Sequence, residues 1–518
     1  MPDQGRTPPQ TRASHDAGEA SHDAGEASLD AGEASLDGGL EHEMDDGSTI
    51  AASAGRILGP VLACAALGLT HPAMLGLGAL NADASWTLAL LTLMAVWWVT
   101  LAVEPAVTGL IPFVALAILG IGKPAEIAAP YANDVIFLFA GGALIGLSLE
   151  RTGVSSRFAS ALVGLAGASP FRVLAAVMTA TALLSAFVSN LATAATMLPL
   201  ATALGARARE EARTDAERAA AGRFLTSLLL GVAFASSIGG TLTVIGSPPN
   251  PIAVEWLDKN GDDIGFVGWM KFSLPTVAVF LPIAVLVLGR WMFPAREIRV
   301  PRLDSQSRPV GRDGATTLAV FLLAVLAWVT RPLYADRFPI VSDGVIAVTA
   351  ATMMFLIPSA SRPGKRILDQ SNFAQIPWRV LVLFGGGLSL AAAMERTGLS
   401  SSLGQMIAGA GALPTVLVLA VMVVALVFAS EVASNTTLAA MAVPIVGALA
   451  PGLGVEPRTL VIPAAFAASL AFAMPVGTPP NALVYGTGRL RAQDMMRAGL
   501  VLDLIAIVVI VTMATLLL

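Results

Sequence analysis

Gly246-Ser-Pro-Pro-Asn250 returns as Gly477-Thr-Pro-Pro-Asn481, each time inside an apolar stretch long enough to cross a bilayer. Adjacent prolines suit the interior of a membrane helix poorly. Each lacks an N–H, and each ring clashes with the preceding turn, so carbonyls lose their partners. Hydrocarbon cannot supply replacements, and broken backbone persists there only where it is buried in protein or lines a polar cavity. The same break in corresponding positions of two halves marks a binding site near the bilayer midplane.

The surrounding composition agrees with a membrane setting. The 518 residues are 55% hydrophobic and only 13% charged, with mean hydropathy +0.74, against roughly a quarter charged in soluble chains. Many apolar runs approach twenty residues, so the chain reads as an all-α polytopic membrane protein. Cys64 is the one cysteine, which excludes an intrachain disulfide and a cysteine-based metal site, and the histidines at 15, 22, 42 and 71 lie outside the core spans. Residues 1–50 differ in kind. Ser14-His-Asp-Ala-Gly-Glu-Ala20 repeats at 21–27 and, with leucine for histidine, at 28–34. Twelve acidic and two basic residues make this segment strongly negative, whereas the remainder of the chain is net positive. It reads as a disordered acidic tail, without the basic and apolar regions of a cleavable signal and without a coiled-coil seam.

Crossings are expected near 57–77, 84–103, 106–121, 132–150, 225–257 (broken), 272–294, 317–333, 339–357, 379–394, 459–487 (broken) and 498–518. Apolar segments 171–205 and 413–450 carry polar centres and read as re-entrant hairpins. That gives about eleven transmembrane helices plus two hairpins. With the N-terminus cytoplasmic, the inside loops collect Arg151 and Arg157, the run Arg207 to Arg223, the run Arg290 to Arg312, and then Arg362, Lys365, Arg366, Arg379, Arg489, Arg491 and Arg497. This positive-inside bias holds only if 171–205 enters and leaves on one side. The expected location is the cell (inner) membrane.

The halves repeat. Phe139-Ala-Gly-Gly-Ala-Leu144 and Glu150-Arg-Thr-Gly153 match Phe384-Gly-Gly-Gly-Leu-Ser389 and Glu395-Arg-Thr-Gly398 at an offset of 245, which also carries Ser189-Asn190 onto Ser434-Asn435. The offset falls to 231 at the double prolines, attributed to an extra charged loop around 206–222. Five crossings and a hairpin in each half invert the second copy, giving two inverted-topology repeats. The expected divisions are the tail at 1–50, a first transmembrane helix within 51–83, repeat 1 at 84–300 and repeat 2 at 301–518.

The hairpin centres, Ser185 to Thr193 and Ser430 to Thr437, concentrate hydroxyl and amide groups that offer donors to an anion or oxygens to a cation. Ser185 and Ser189, like Ser430 and Ser434, are four apart and are expected to share a helix face. A helix start at the tip favours an anion, and carbonyls at a broken end suit sodium. Isolated Ser-Asn pairs usually serve packing; two pairs at equivalent repeat positions argue for a site. Glu431 reads as a proton site or a fold-locking partner, the second favoured. The Glu-Arg-Thr-Gly copies read as interfacial anchors, and Trp97, Trp98, Trp269, Trp291 and Trp378 as interface belts.

At these motifs the chain resembles the divalent-anion:sodium symporter family, carriers of dicarboxylates, citrate or sulfate, over about residues 57–518. The resemblance implies a homodimer working by an elevator mechanism. It places one sodium ion at Ser185, Ser189, Asn190 and Gly246, and another at Ser430, Ser434, Asn435 and Gly477. It places a small dianion against Ser189, Asn190, Ser434, Asn435 and Thr436, with Ser247-Pro248 and Thr478-Pro479 nearby. Leu191 departs from the family's threonine, which weakens one half of the substrate site. The implied function is sodium-coupled symport of a C4 dicarboxylate; the alternatives on this fold are a sodium-independent dicarboxylate exchanger and a sulfate carrier.

Other classes fit less well. An intramembrane enzyme needs a nucleophile with its base, paired carboxylates or metal ligands at helical spacing, and none is visible. A sensor would need an output domain, and an ATP-driven pump a Walker A motif. No organic cofactor and no nucleic-acid partner are expected.

Overall fold

The structure, a computed structural model, describes residues 45–75, 80–300, 310–408 and 414–518. The heptapeptide tail lies outside the described residues. Among them, eight helices are long and apolar enough to cross a membrane: Ile50–Thr70, Ala82–Thr100, Pro124–Arg151, Asp215–Gly240, Gly265–Met292, Arg312–Tyr334, Gln370–Arg396 and Ala492–Leu517. The other three expected crossings fall on shorter elements, Pro105–Ile118, Asp343–Leu356 and the interrupted pair Pro457–Ser469 and Pro479–Tyr485. The protein is an all-helical, multi-pass membrane protein.

The same succession of elements occurs twice. Asp134–Arg151, the short Val154–Gly164, the hairpin Pro170–Ser185 with Asn190–Glu210, the broken pair Asp215–Gly240 with Pro249–Lys259, and Gly265–Leu286 form the first series. Trp378–Arg396, Leu399–Ala408, Thr415–Ser430 with Asn435–Leu449, Pro457–Ser469 with Pro479–Tyr485, and Ala492–Leu517 form the second. Each Glu-Arg-Thr-Gly copy ends its helix, with Gly153 at φ 73° and Gly398 at φ 75° in the left-handed region that a helix stop requires. The paired glycines allow close approach. A Cβ on Gly141 would lie 2.6 Å from the backbone carbonyl carbon of Ala347, and one on Gly386 only 2.2 Å from the carbonyl oxygen of Gly109. Small residues are how membrane helices gain contact when no hydrophobic drive separates lipid from protein.

Three expectations change. The charged loop at 206–222 is mostly helix: Asn190–Glu210 ends with Arg207 and Arg209 in its last turn, and Asp215–Gly240 begins after four intervening residues. Thr214 caps that start reciprocally with Glu217, a capping box that continues the helix far beyond the apolar run. Trp98 and Trp269 are core residues rather than belt, exposed by only 1% and 0%. Trp98 donates to the Pro105 carbonyl at 3.1 Å and Trp269 to that of Thr241 at 2.9 Å, so each indole N–H meets a partner inside the protein. Trp291 and Trp378 remain exposed, as a belt requires. The third change is at the hairpin tips and is given below.

The core sits at the broken helices. Every residue from Ser227 to Gly240 is buried, as is every residue from Leu460 to Ser469, whereas most of Ile50–Thr70 is exposed. The second arm of each hairpin packs against the short helix following the other repeat's break: Asn190–Glu210 against Pro479–Tyr485, and Asn435–Leu449 against Pro249–Lys259. The repeats therefore interlock at the segments that carry the polar residues.

Candidate functional site

The double prolines stand at helix starts. Pro248 and Thr478 are the residues before helices that open with Pro249 and with Pro479-Pro480. A first-turn N–H has no intrahelical partner anyway, so proline is accommodated there. The interruption itself is the stretch upstream, 241–248 and 470–478, where the backbone leaves the helix. Asn250 and Asn481, both fully buried, tie it down. The Asn250 amide donates to the carbonyls of Gly240 at 2.8 Å and Thr243 at 2.7 Å. Asn481 does the same to Ala471 at 3.2 Å and Met474 at 3.1 Å. These four acceptors are related by the 231-residue offset of the motif. The final asparagine of each pentapeptide thus closes the break, a role concealed in the sequence by the more conspicuous prolines.

The hairpins turn earlier than expected. Their first arms stop at Ser185 and Ser430, while Ser189 and Ser434 precede the second arms. The serine pairs do not share a helix face: Ser185 and Ser430 are fully buried, whereas Ser189 and Ser434 are exposed. The reason is local. Residues before a helix adopt extended backbone, and Ser189 does so, accepting the Ala192 N–H at 3.3 Å.

In the first half, Ser185, Asn190 and Gly246 converge. Ser185 Oγ donates to the Ser236 carbonyl at 2.7 Å. With its amide oriented so that donors meet acceptors, Asn190 Nδ2 reaches Ser185 Oγ at 2.7 Å and the carbonyls of Ser236 and Gly246 at 3.2 Å. Around the Gly246 α-carbon, a Cβ would lie 2.5 Å from the Gly240 carbonyl oxygen, 2.9 Å from that of Ser185 and 3.0 Å from that of Ala186. Three carbonyl oxygens crowding one glycine form a hard, neutral donor set of the kind that suits an alkali cation. Thr243 and Ser273 anchor this region by donating to the carbonyls of Ala186 and Leu242.

The second half is built similarly but with an acid. Ser430 Oγ lies 2.7 Å from the Val427 carbonyl and 3.2 Å from that of Leu470, and Asn435 donates to Ser469 at 3.3 Å. Asn435 Oδ1 is buried with no hydrogen-bond partner in the protein, an oxygen whose acceptor capacity is unused. Glu431 Oε1 accepts the N–H groups of Phe472 at 2.6 Å and Ala473 at 2.9 Å, and Oε2 that of Met474 at 2.6 Å. Gly477 faces the same carboxylate; a Cβ there would lie 3.1 Å from Glu431 Oε2. Glu431 is therefore a fold-locking partner of the second break.

Of the remaining expected residues, Asn190, Asn435 and Thr436 are half-buried at the tips, with Leu191 exposed beside them. Ser247 and Thr478 are buried, Thr478 accepting the Asn481 N–H at 3.3 Å. No Lys or Arg lies within 173–206, 224–258, 415–457 or 459–488. Sequence reasoning missed one acid, Asp503, fully buried within the last helix. An ionisable residue inside an apolar span was the available signal.

Two hairpins interlocked with two broken helices, in an otherwise apolar bundle, define a secondary transporter. A profile of the citrate transporter family, CitMHS, matches residues 95–460. The chain is 36% identical over 472 residues to the sodium-dependent dicarboxylate transporter SdcS of Staphylococcus saprophyticus, covering 88% of this chain and 89% of that protein. It is 34% identical over 473 residues to the SdcS of Staphylococcus aureus NCTC 8325, with the same coverage. Among solved structures, the YdaH transporter of Alcanivorax borkumensis superimposes with a TM-score of 0.50 at 18% identity, covering 78% of this chain and 88% of that one; the likeness is one of fold. The chain belongs to the citrate and divalent-anion:sodium symporter family.

Proposed function

We propose that this protein is a sodium-coupled symporter of a C4 dicarboxylate, acting as a homodimer in the cell membrane with its N-terminus cytoplasmic. One observation carries the reading: each half presents a Ser-Asn hairpin tip beside a broken helix whose carbonyls and glycine form an oxygen-rich cluster without a fixed positive charge. A dianion held there needs mobile cations, because amide and helix-start dipoles alone face a heavy desolvation cost. The relatives' name, sodium-dependent dicarboxylate transporter, agrees with this need. Sodium occupies Ser185, Asn190 and Gly246 in the first half and Ser430, Asn435 and Gly477 in the second, with Ser189 and Ser434 at the mouths. The substrate bridges the tips through Asn190, Asn435 and Thr436. The two repeats, 84–300 and 301–518, contribute the hairpins and breaks as one moving unit in an elevator motion.

The test is uptake of radiolabelled succinate into proteoliposomes under an inward sodium gradient or an equal potassium gradient. Uptake is expected only with sodium, and is expected to fall to background in the Asn190→Ala, Asn435→Ala double variant. Sodium-independent uptake restricted to dicarboxylate-loaded vesicles would replace symport with exchange. No uptake by well-folded protein would overturn the dicarboxylate reading.

Leu191 stands where Thr436 stands in the second half. Leu191→Thr restores a hydroxyl at the first tip, and a hydrogen bond to a charged group contributes about 1.5–3 kcal/mol. The apparent KM for succinate is expected to fall at least ~10-fold. An unchanged KM would place that side chain away from the substrate.

A further inference from the structure

Where the spanning helix Gly265–Met292 ends, its last turns meet the start of the first hairpin. Gly289 allows the approach: a Cβ there would lie 2.8 Å from a Leu174 methyl group and 3.0 Å from the Phe171 ring. The chain beyond the helix is held as well. Ala295, Ile298 and Val300 are buried, and Val300 donates its N–H to the Ala168 carbonyl at 2.9 Å. These contacts border a cavity of about 490 Å³, the size of a small-ligand pocket.

Its lining is of two kinds. Arg172 comes from the hairpin's first arm, Arg290 from the end of the spanning helix, and Arg296 and Arg299 from the segment after it. Phe171, Leu174, Phe224 and Phe293 supply apolar surface. Among the described residues, no Asp or Glu lines the cavity. Positive-inside bias accounts for arginine at this end of the bundle, but not for its convergence on one hollow without acids. Other arginines nearby have carboxylate partners: Arg218 has Asp215, Arg223 has Glu297 and Arg491 has Asp494, at 2.9 to 3.2 Å. Arg172, Arg290, Arg296 and Arg299 are exposed and make no hydrogen bond or ion pair among the described residues. Glu297 stands between two of them in sequence, yet it accepts from Arg223, which also donates to the Pro294 carbonyl at 2.7 Å. Four guanidinium groups around one hollow create a positive potential that a bound anion relieves.

We propose that this cavity binds the phosphate of an anionic phospholipid. Guanidinium forks match phosphate oxygens in pairs, and basic pockets between membrane helices take lipid headgroups. Two observations favour a lipid over soluble phosphate. The cavity joins its arginines to aromatic and aliphatic side chains, which offer a surface to the glycerol and the first acyl carbons. Trp291, next to Arg290, is 69% exposed, at a span end where indole rings mark the headgroup level. A phosphate held here ties the base of the hairpin that carries Ser185 to the end of Gly265–Met292.

The test uses the full chain, purified in detergent and titrated with phosphatidylglycerol or phosphatidylcholine, with retained lipid followed by native mass spectrometry. Wild type is expected to bind phosphatidylglycerol at least ~10-fold more tightly than phosphatidylcholine. The Arg172→Gln, Arg296→Gln double variant is expected to lose at least ~10-fold in phosphatidylglycerol affinity, because two charges leave the cavity. Arg213→Gln, Arg218→Gln removes the same charge outside the cavity and is expected to bind as wild type. Equal losses in the two double variants would reduce the effect to surface charge and overturn the proposal.

A second readout needs no variant. Phenylglyoxal is applied to the wild-type protein, and modification of Arg172, Arg290, Arg296 and Arg299 is followed by peptide mass spectrometry. Phosphatidylglycerol is expected to slow their modification relative to Arg213 and Arg218, and phosphatidylcholine to leave it unchanged. Equal protection by inorganic phosphate, at matched phosphate concentration, would keep the anion site and overturn its lipid source. No protection by either would overturn the site. Neither readout involves succinate, so this site and the dicarboxylate reading stand or fall separately.

Discussion

Glu431→Ala is expected to destabilise the protein more than any other single change at the hairpin tips. Its carboxylate accepts three backbone N–H groups, from Phe472, Ala473 and Met474. The Glu431 side chain is 5% exposed, so water is poorly placed to replace it. Each abandoned N–H costs about 1–3 kcal/mol, and even with partial relaxation the sum is on the order of 5 kcal/mol, comparable with the whole stability of many domains. Glu431→Gln is expected to be milder. The glutamine oxygen can keep the two N–H groups that share Oε1, and only the Met474 bond at Oε2 meets a donor instead of an acceptor. Thermal unfolding in detergent, followed by fluorescence-detected size-exclusion chromatography, should rank wild type above Gln and Gln well above Ala. An alanine variant that melts with wild type would mean that these bonds contribute nothing.

Gly246→Ala should have the larger effect on sodium. The new methyl group would meet three backbone carbonyls, the nearest 2.5 Å away on Gly240, and backbone cannot give way as a flexible side chain can. Its position is the centre of the oxygen cluster, so on the proposed assignment of sodium to this cluster the methyl would displace the ion as well as strain the chain. A loss of about 3 kcal/mol would raise the sodium concentration for half-maximal uptake more than ~100-fold. Gly477→Ala has its nearest contact at 3.1 Å, on the Glu431 side chain, and should have a smaller effect. Gly222→Ala meets nothing within 4 Å and serves as the control. Sodium activation curves measured on the three variants check the order; equal effects at Gly246 and Gly222 would remove the cation from this cluster.

The membrane class, both hairpins, both breaks and the duplicated order of elements were legible from residues alone. Apolar run length is set by bilayer thickness, and a helix break in hydrocarbon is costly enough that its sequence marks stand out. Trp98 and Trp269 were misread because proximity to a span end does not reveal which face of the helix a residue occupies. The serine pairs were misread because spacing four applies only while the helix continues, and the turn begins immediately after Ser185 and Ser430.

Sequence by itself determined that the chain is a two-repeat membrane transporter whose polar groups gather at two tips and two breaks, since these features depend on local backbone chemistry and hydropathy. Only the tertiary structure decided what those groups touch. Asn250 and Asn481 close the breaks over gaps of seven to ten residues, and Glu431 holds backbone 41 to 43 residues away. Contacts between distant segments depend on how close two backbones can approach, and at Gly386 and Gly246 that closeness is set by neighbours that no local pattern names.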